Sequence, residues 1–188
     1  MRVISGKYRS RALQSLPGMD IRPTADRLRE TLFDVLCAGD PGALEGSVWL
    51  DLYAGTGAVG IEALSRGAAS VTFVDKAREA AEVIRKNIKS LGIEAGFAVS
   101  VSEVRVALKR LPVSADYVFL DPPYRLQQEY GETLRVLGEG QLVKDAGIVV
   151  AEHDRRFDPG EAHGQLRRYR TLRQGDAALS FYRRGNVA

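Results

Sequence analysis

The chain has 188 residues, 45% hydrophobic and 27% charged, enough for one domain to bury its own core without cross-links. Its single cysteine, Cys37, excludes an internal disulfide, and with only two histidines no zinc or other metal site is expected. No run approaches the roughly 18 uninterrupted apolar residues of a membrane span, and the opening MRVISGKYRS has no signal-peptide core, so a cytoplasmic protein with no membrane attachment is expected.

The net charge of +3 hides an uneven spread. Residues 1–33 hold seven Arg or Lys against three acids, and residues 155–188 hold eight arginines against three acids. Residues 34–154 hold twelve bases against eighteen acids. If the basic ends meet in space they form a positive face suited to a phosphate backbone; if not, they are two solvated surfaces.

In chain order, residues 1–17 are short, alternating and basic, which predicts a small hairpin or arm. A helix follows, with Thr24 as N-cap after Pro23 and Leu28, Leu32, Val35 and Leu36 at helical spacing. From residue 48 short apolar strands alternate with helices. Strands are expected at 48–53, 70–75, 96–101, 116–121 and 147–153, with helices at 58–67, 76–92, 102–111 and 127–139. The near-continuous apolar strands fit a parallel sheet wound on both faces. Two alternating stretches around Gln174-Gly175-Asp176 then predict a terminal antiparallel hairpin, giving seven strands. Two parts result: a basic N-terminal arm, 1–22, and an α/β Rossmann-like domain, 23–188.

DLYAGTGAVG, residues 51–60, lies between the first strand and its helix, and Gly55, Gly57 and Gly60 fit G-x-G-x-x-G. Glycine at 55 and 57 lets a tight turn bring backbone N–H groups near a ligand at the helix N-terminus. Asp75 ends the second strand, where a carboxylate can accept both hydroxyls of a ribose; a strand-end N-cap is the plainer role. A pyrophosphate disfavours nearby negative charge, yet Asp51 faces the same place. That suits a ligand carrying an ammonium and a sulfonium, S-adenosylmethionine. Tyr53, Thr56 and Lys76 flank this pocket, and the third strand should add an adenine contact at Ser102 or Glu103.

The fourth strand ends in Asp121-Pro122-Pro123-Tyr124. The prolines have fixed φ and no N–H, so they stiffen the loop and leave carbonyls free to accept. A planar exocyclic amine has two N–H donors. The Asp121 carboxylate and the Pro122 carbonyl can accept them, aiming the nitrogen at a sulfonium methyl, while Tyr124 stacks on a swung-out base. Tyr8 and Tyr53 are lesser stacking candidates for which packing is the plainer role. By itself the motif leaves adenine N6, cytosine N4, guanine N2 and a glutamine amide open.

MRVISGKYRSRAL, RPTADRLRETLFDVL, DLYAGTGAVGIEALSRGA, DPPY and VVAEH together resemble the bacterial small-subunit ribosomal RNA methyltransferase D family, over almost the whole chain. The resemblance implies a class I S-adenosylmethionine-dependent methyltransferase acting on guanine N2 in 16S rRNA, at position 966 of the usual ribosomal numbering, in the assembling 30S subunit. It implies cofactor binding by Asp51, Gly55, Gly57, Asp75 and Asp121, with the amine held by Asp121 to Tyr124. It also implies RNA contacts from Arg2, Lys7, Arg9, Arg11, Arg22 and Arg27. SVSEV, after the third strand, lacks the Asn or Asp often seen there, and 153–164 matches no usable pattern. A monomer is expected. Competing readings are an amino-methyltransferase for DNA or protein glutamine, a nucleotide-dependent redox enzyme, and a non-catalytic RNA-binding assembly factor.

Overall fold

The structure, a computed structural model, describes residues 1–16 and 23–185, with backbone alone at 23–25. Its elements are α1 (Pro23–Leu36), β1 (Val48–Leu52), α2 (Ala58–Ser65), β2 (Ser70–Asp75), α3 (Arg78–Leu91), β3 (Phe97–Val101), α4 (Val104–Leu108), β4 (Ala115–Leu120), α5 (Gln127–Glu139), β5 (Val143–Asp154), β6 (Ala162–His163), β7 (Leu166–Gln174) and β8 (Ala177–Arg184).

One sheet runs β3-β2-β1-β4-β5-β8-β7-β6. The first five strands are parallel, and β8, β7 and β6 are antiparallel to their neighbours. The strand count is therefore eight rather than seven. The extra strand, β6, has two residues and pairs His163 with Leu166 and Ala162 with Arg167. Two residues carry no readable periodicity; contacts hold them instead. The Tyr182 hydroxyl donates to the Gly160 carbonyl at 2.8 Å, and Phe157 packs on Tyr130 with ring centres 5.1 Å apart.

Strand residues alternate between two cores. On one face Trp49, Phe73, Phe119, Val150 and Phe181 meet Leu28, Leu32 and Phe33 of α1, Ile61 of α2 and Ile84 and Ile88 of α3. On the other, Leu50, Leu52, Val74, Leu120 and Val149 meet Val104, Tyr130, Leu134 and Leu137 of α4 and α5. Both faces are covered, which is why the strands read as apolar runs. The predicted elements recur with differences at their ends, among them β5, which begins at Val143 rather than 147. α4 is one short turn and a half, because the chain must leave helical geometry before Pro112. α1 opens at Pro23, which places Thr24 inside the helix rather than at its cap; proline's fixed φ suits the first helical position.

The arm lies against the domain. It closes on itself through the bridge between Arg2 and Ala12, and Val3 and Leu13 are buried. Its main anchor is Glu62 of α2, whose carboxylate accepts from the N–H groups of Ile4 at 2.8 Å and Ser5 at 2.9 Å and from Arg66 Nε at 2.8 Å. Gly6 passes so close to α2 that a Cβ there would sit 1.9 Å from the Ser65 carbonyl, at φ +80, so only glycine fits. Arg29 of α1 donates to the Arg2 carbonyl at 2.6 Å, and Thr31 of α1 bonds Gln174 at the β7–β8 turn at 2.8 Å. Helix α1 thus bridges the two basic ends of the chain. Among the described residues, no helix is long and apolar enough to cross a membrane.

Candidate functional site

The strand order reverses between β1 and β4, and a crevice forms at such a point beyond the C-terminal strand ends. Here it is a cavity of about 530 Å³. Asp51, Asp75, Asp121 and Glu152 reach it from the ends of β1, β2, β4 and β5. Pro122, Pro123 and Tyr124 wall one side. Met1, Ser15 and Leu16 of the arm, with Asp26, Leu28, Arg29 and Leu32 of α1, close another.

The glycine loop behaves differently from the expectation that its N–H groups face a ligand. Gly55 N–H donates to Asp75 Oδ2 at 2.9 Å, Gly57 N–H to the Ala54 carbonyl at 2.7 Å, and Gly60 N–H to Asp51 Oδ2 at 2.9 Å. Carboxylates and a carbonyl have taken the donors that a pyrophosphate needs. Gly57, at φ 76, caps α2 and packs on Phe73 and Ile84 instead of lining the cavity. Tyr53 precedes the loop in the left-handed region, at φ 59, a cost of about 1 kcal/mol for a side-chain-bearing residue. Its hydroxyl lies 3.0 Å from Glu129 and 2.9 Å from Thr133, so its ring is fixed as packing rather than left free to stack.

Tyr53, Gly55, Thr56, Asp75 and Lys76 line the cavity. Of the two adenine candidates, Glu103 lines it and Ser102 does not; the Ser102 hydroxyl turns to the Glu103 carbonyl at 3.1 Å. Asp75 accepts from Gly55 and, through Oδ1, from Ala77 N–H at 2.9 Å. It therefore shapes the turn and still has lone pairs for two hydroxyls, a carboxylate offering about four acceptor positions.

Charge is concentrated on the floor. Asp51 is 2% exposed; burial pushes its carboxyl up to about 7, the Gly60 N–H pulls it down and Asp75 pushes it up. Burial also raises Asp121 well above the usual carboxylate range, helped by Glu152 and Asp51. Burial pushes Glu152 up to about 7, against the pull of the Tyr124 hydroxyl and the Arg29 guanidinium. Tyr124 stands at the mouth, 40% exposed, with a phenol raised by burial and by Glu152.

The Pro122 carbonyl has a neighbour on its own protein. The Tyr130 hydroxyl sits 3.1 Å from it and 2.9 Å from the Glu152 carbonyl, clasping the ends of β4 and β5 together. Sequence reasoning missed Tyr130, Glu152 and Arg29. For Glu152 a signal existed: it ends an apolar strand at the same sheet edge as Asp121. Arg29 gave none, because its position depends on how α1 lies across the sheet.

Arg2, Lys7, Arg9, Arg11 and Arg27 are all exposed, and Arg22 lies outside the described residues. Arg11 is partly committed, donating to the Ser90 carbonyl at 2.8 Å. The cavity thus suits a cationic ligand with a ribose, opens beside a flat phenol, and has basic residues on the arm and on α1.

The family model described as Conserved hypothetical protein 95 matches residues 1–183. YlbH of Bacillus subtilis, provisionally named an rRNA methyltransferase, is 34% identical over 187 residues, covering 98% of this chain and 99% of YlbH. The ribosomal RNA small subunit methyltransferase D of Escherichia coli K12 is 34% identical over 155 residues, covering 82% of this chain and 75% of that protein. A solved Escherichia coli structure, yhhF, provisionally named a methyltransferase, matches with TM-score 0.81 at 31% identity, covering 98% of this chain and 97% of that one.

Proposed function

The chain belongs to the Conserved hypothetical protein 95 family, that of the small-subunit ribosomal RNA methyltransferase D proteins, and from that premise we propose that it methylates guanine N2 in 16S rRNA, at the 966-type position of the assembling small subunit. Its fold is that of class I S-adenosylmethionine-dependent methyltransferases. The observation that carries the reading is one cavity lined both by Asp51 and Asp75 and by Asp121 to Tyr124, so that a donor site and an amine site share a wall.

S-adenosylmethionine supplies an electrophilic methyl on a sulfonium. Asp75 has acceptor positions for the ribose hydroxyls, and the buried Asp51 presents a carboxyl that becomes negative as pH rises through about 7, facing the ligand's cationic groups. Asp121 accepts an N–H of the target amine and turns its lone pair toward the methyl. Tyr124, exposed at the mouth, stacks on the flipped base. The N–C bond forms as the S–C bond breaks, with its electron pair going to sulfur. The resulting aminium is acidic, and its proton passes to Asp121, whose raised affinity for protons suits it to take one, and then to water. Orientation and fixed charge supply the rate. The exposed cations of the arm and α1 hold the phosphate backbone.

The test is transfer of a labelled methyl group to 30S subunits lacking the modification, followed by nucleoside analysis. N2-methylguanosine at one site is the expected product. Label in another nucleoside, or none on subunits or free rRNA, would overturn the reading.

A further inference from the structure

We propose that Glu152 reads the N1–H of the target guanine beside the amine held by Asp121, so that two carboxylates on neighbouring strands select guanine by its donor–donor edge. The proposal rests on the guanine-N2 reading above.

Three observations converge on it. β4 and β5 pair in parallel through Leu120 and Ala151, so Asp121 and Glu152 are the next residues on adjacent strands, about 4.8 Å apart in backbone. Both line the cavity next to Tyr124. Tyr130 then clasps the two strand ends through the Pro122 and Glu152 carbonyls, which fixes the carboxylates relative to each other. The Tyr130 hydroxyl, with one proton shared between these two carbonyls, also competes for the Pro122 carbonyl, the acceptor expected for the second donor of the base. Glu152 offers a carboxylate beside it.

Chemistry names the base. An ionised carboxylate only accepts hydrogen bonds. Guanine presents two adjacent donors on its Watson–Crick edge, N1–H and the N2 amine. Adenine and cytosine present an amine beside an unprotonated ring nitrogen, which would face Glu152 with acceptor against acceptor. A site built to pair a polar group rejects the analogue lacking it far more strongly than shape alone can. Accepting N1–H also pushes electron density into the ring and onto N2, which makes the amine a better nucleophile. Burial raises Glu152 to about 7 against the pull of the Tyr124 hydroxyl and then of the buried Arg29 guanidinium, so the ionised form that this role requires is populated as pH rises through about 7.

The decisive comparison uses 2-aminopurine, which keeps the N2 amine but has an acceptor at N1. Subunits are reconstituted with 16S rRNA carrying guanine or 2-aminopurine at the methylated position, and single-turnover transfer is followed. The wild-type protein should prefer guanine by about 10- to 100-fold. Glu152→Gln, whose amide can donate to N1, should narrow that preference to within a few-fold. Glu152→Asp, which keeps the carboxylate, should retain it. Affinity for S-adenosylhomocysteine should be unchanged in both variants, and their unfolding midpoints report whether each remains folded. An unchanged preference in Glu152→Gln overturns the proposal, as does a loss of S-adenosylhomocysteine affinity that matches the loss of rate. Failure of the parent reading looks different: the wild-type protein would then make a product other than N2-methylguanosine.

Discussion

Two carboxylate sites on this molecule, one buried and one half-buried in the cavity, use the same chemistry to opposite ends. Glu62, fully buried on α2, meets two backbone N–H groups and Arg66, with the Arg29 guanidinium 4.0 Å away. Asp121 and Glu152, at the strand ends, have no comparable set among the described residues. The largest influence on each is burial, and each is pushed toward holding a proton. A carboxylate surrounded by donors is a fastener. A carboxylate half withdrawn from water and left with open lone pairs is a binding site awaiting a donor, and the fold bears its cost in stability.

That contrast can be broken at either end. The largest effect is expected for Asp121→Ala, which should lower methyl transfer by about a thousand-fold while S-adenosylhomocysteine affinity changes far less. Single-turnover rates with calorimetric titration check this, and full activity would remove the amine clamp. Next is Glu62→Ala. It strands two arm N–H groups and two arginines, and breaking such a buried set costs about 3–5 kcal/mol, read from urea unfolding. Unchanged stability would mean that the arm is held by other contacts.

Asp51→Asn sharpens the contrast, because the sign reverses. The Asp51 carboxyl sits near 7 in the folded protein against 3.8 ordinarily, so the native state keeps a proton that the unfolded chain releases. Its contribution to stability is fully present below the unfolded value of about 4 and is lost as pH rises through about 7. The asparagine variant should therefore melt higher than wild type at pH 8, with the gain shrinking toward pH 4, and should bind S-adenosylmethionine more weakly. A lower melting point at pH 8 would make Asp51 a fastener like Glu62. The smallest effect is expected at the surface. Arg9→Glu should raise the apparent KM for RNA several-fold and flatten its salt dependence, leaving cofactor affinity alone. An unaltered KM would take the arm out of the RNA surface.

The sequence by itself determined the strand–helix alternation, the positions of Asp51, Asp75 and Asp121 at strand ends and the terminal hairpin, because each is written in local periodicity and turn chemistry. It also marked the basic ends, since charge is counted without coordinates. Only the tertiary structure decided which polar atoms remain free to bind. The Gly55 and Gly57 N–H groups were expected to face a ligand until Asp75 and the Ala54 carbonyl were seen to accept from them, and the Pro122 carbonyl was expected to be free until the Tyr130 hydroxyl of α5 was found 3.1 Å away. Glu152 beside Asp121 and the arm's descent onto Glu62 follow the same rule. A hydrogen bond made by the folding of loops and helices over the strand ends leaves no periodic pattern at either partner, so the sequence shows the groups that could act, and packing decides which of them are still available.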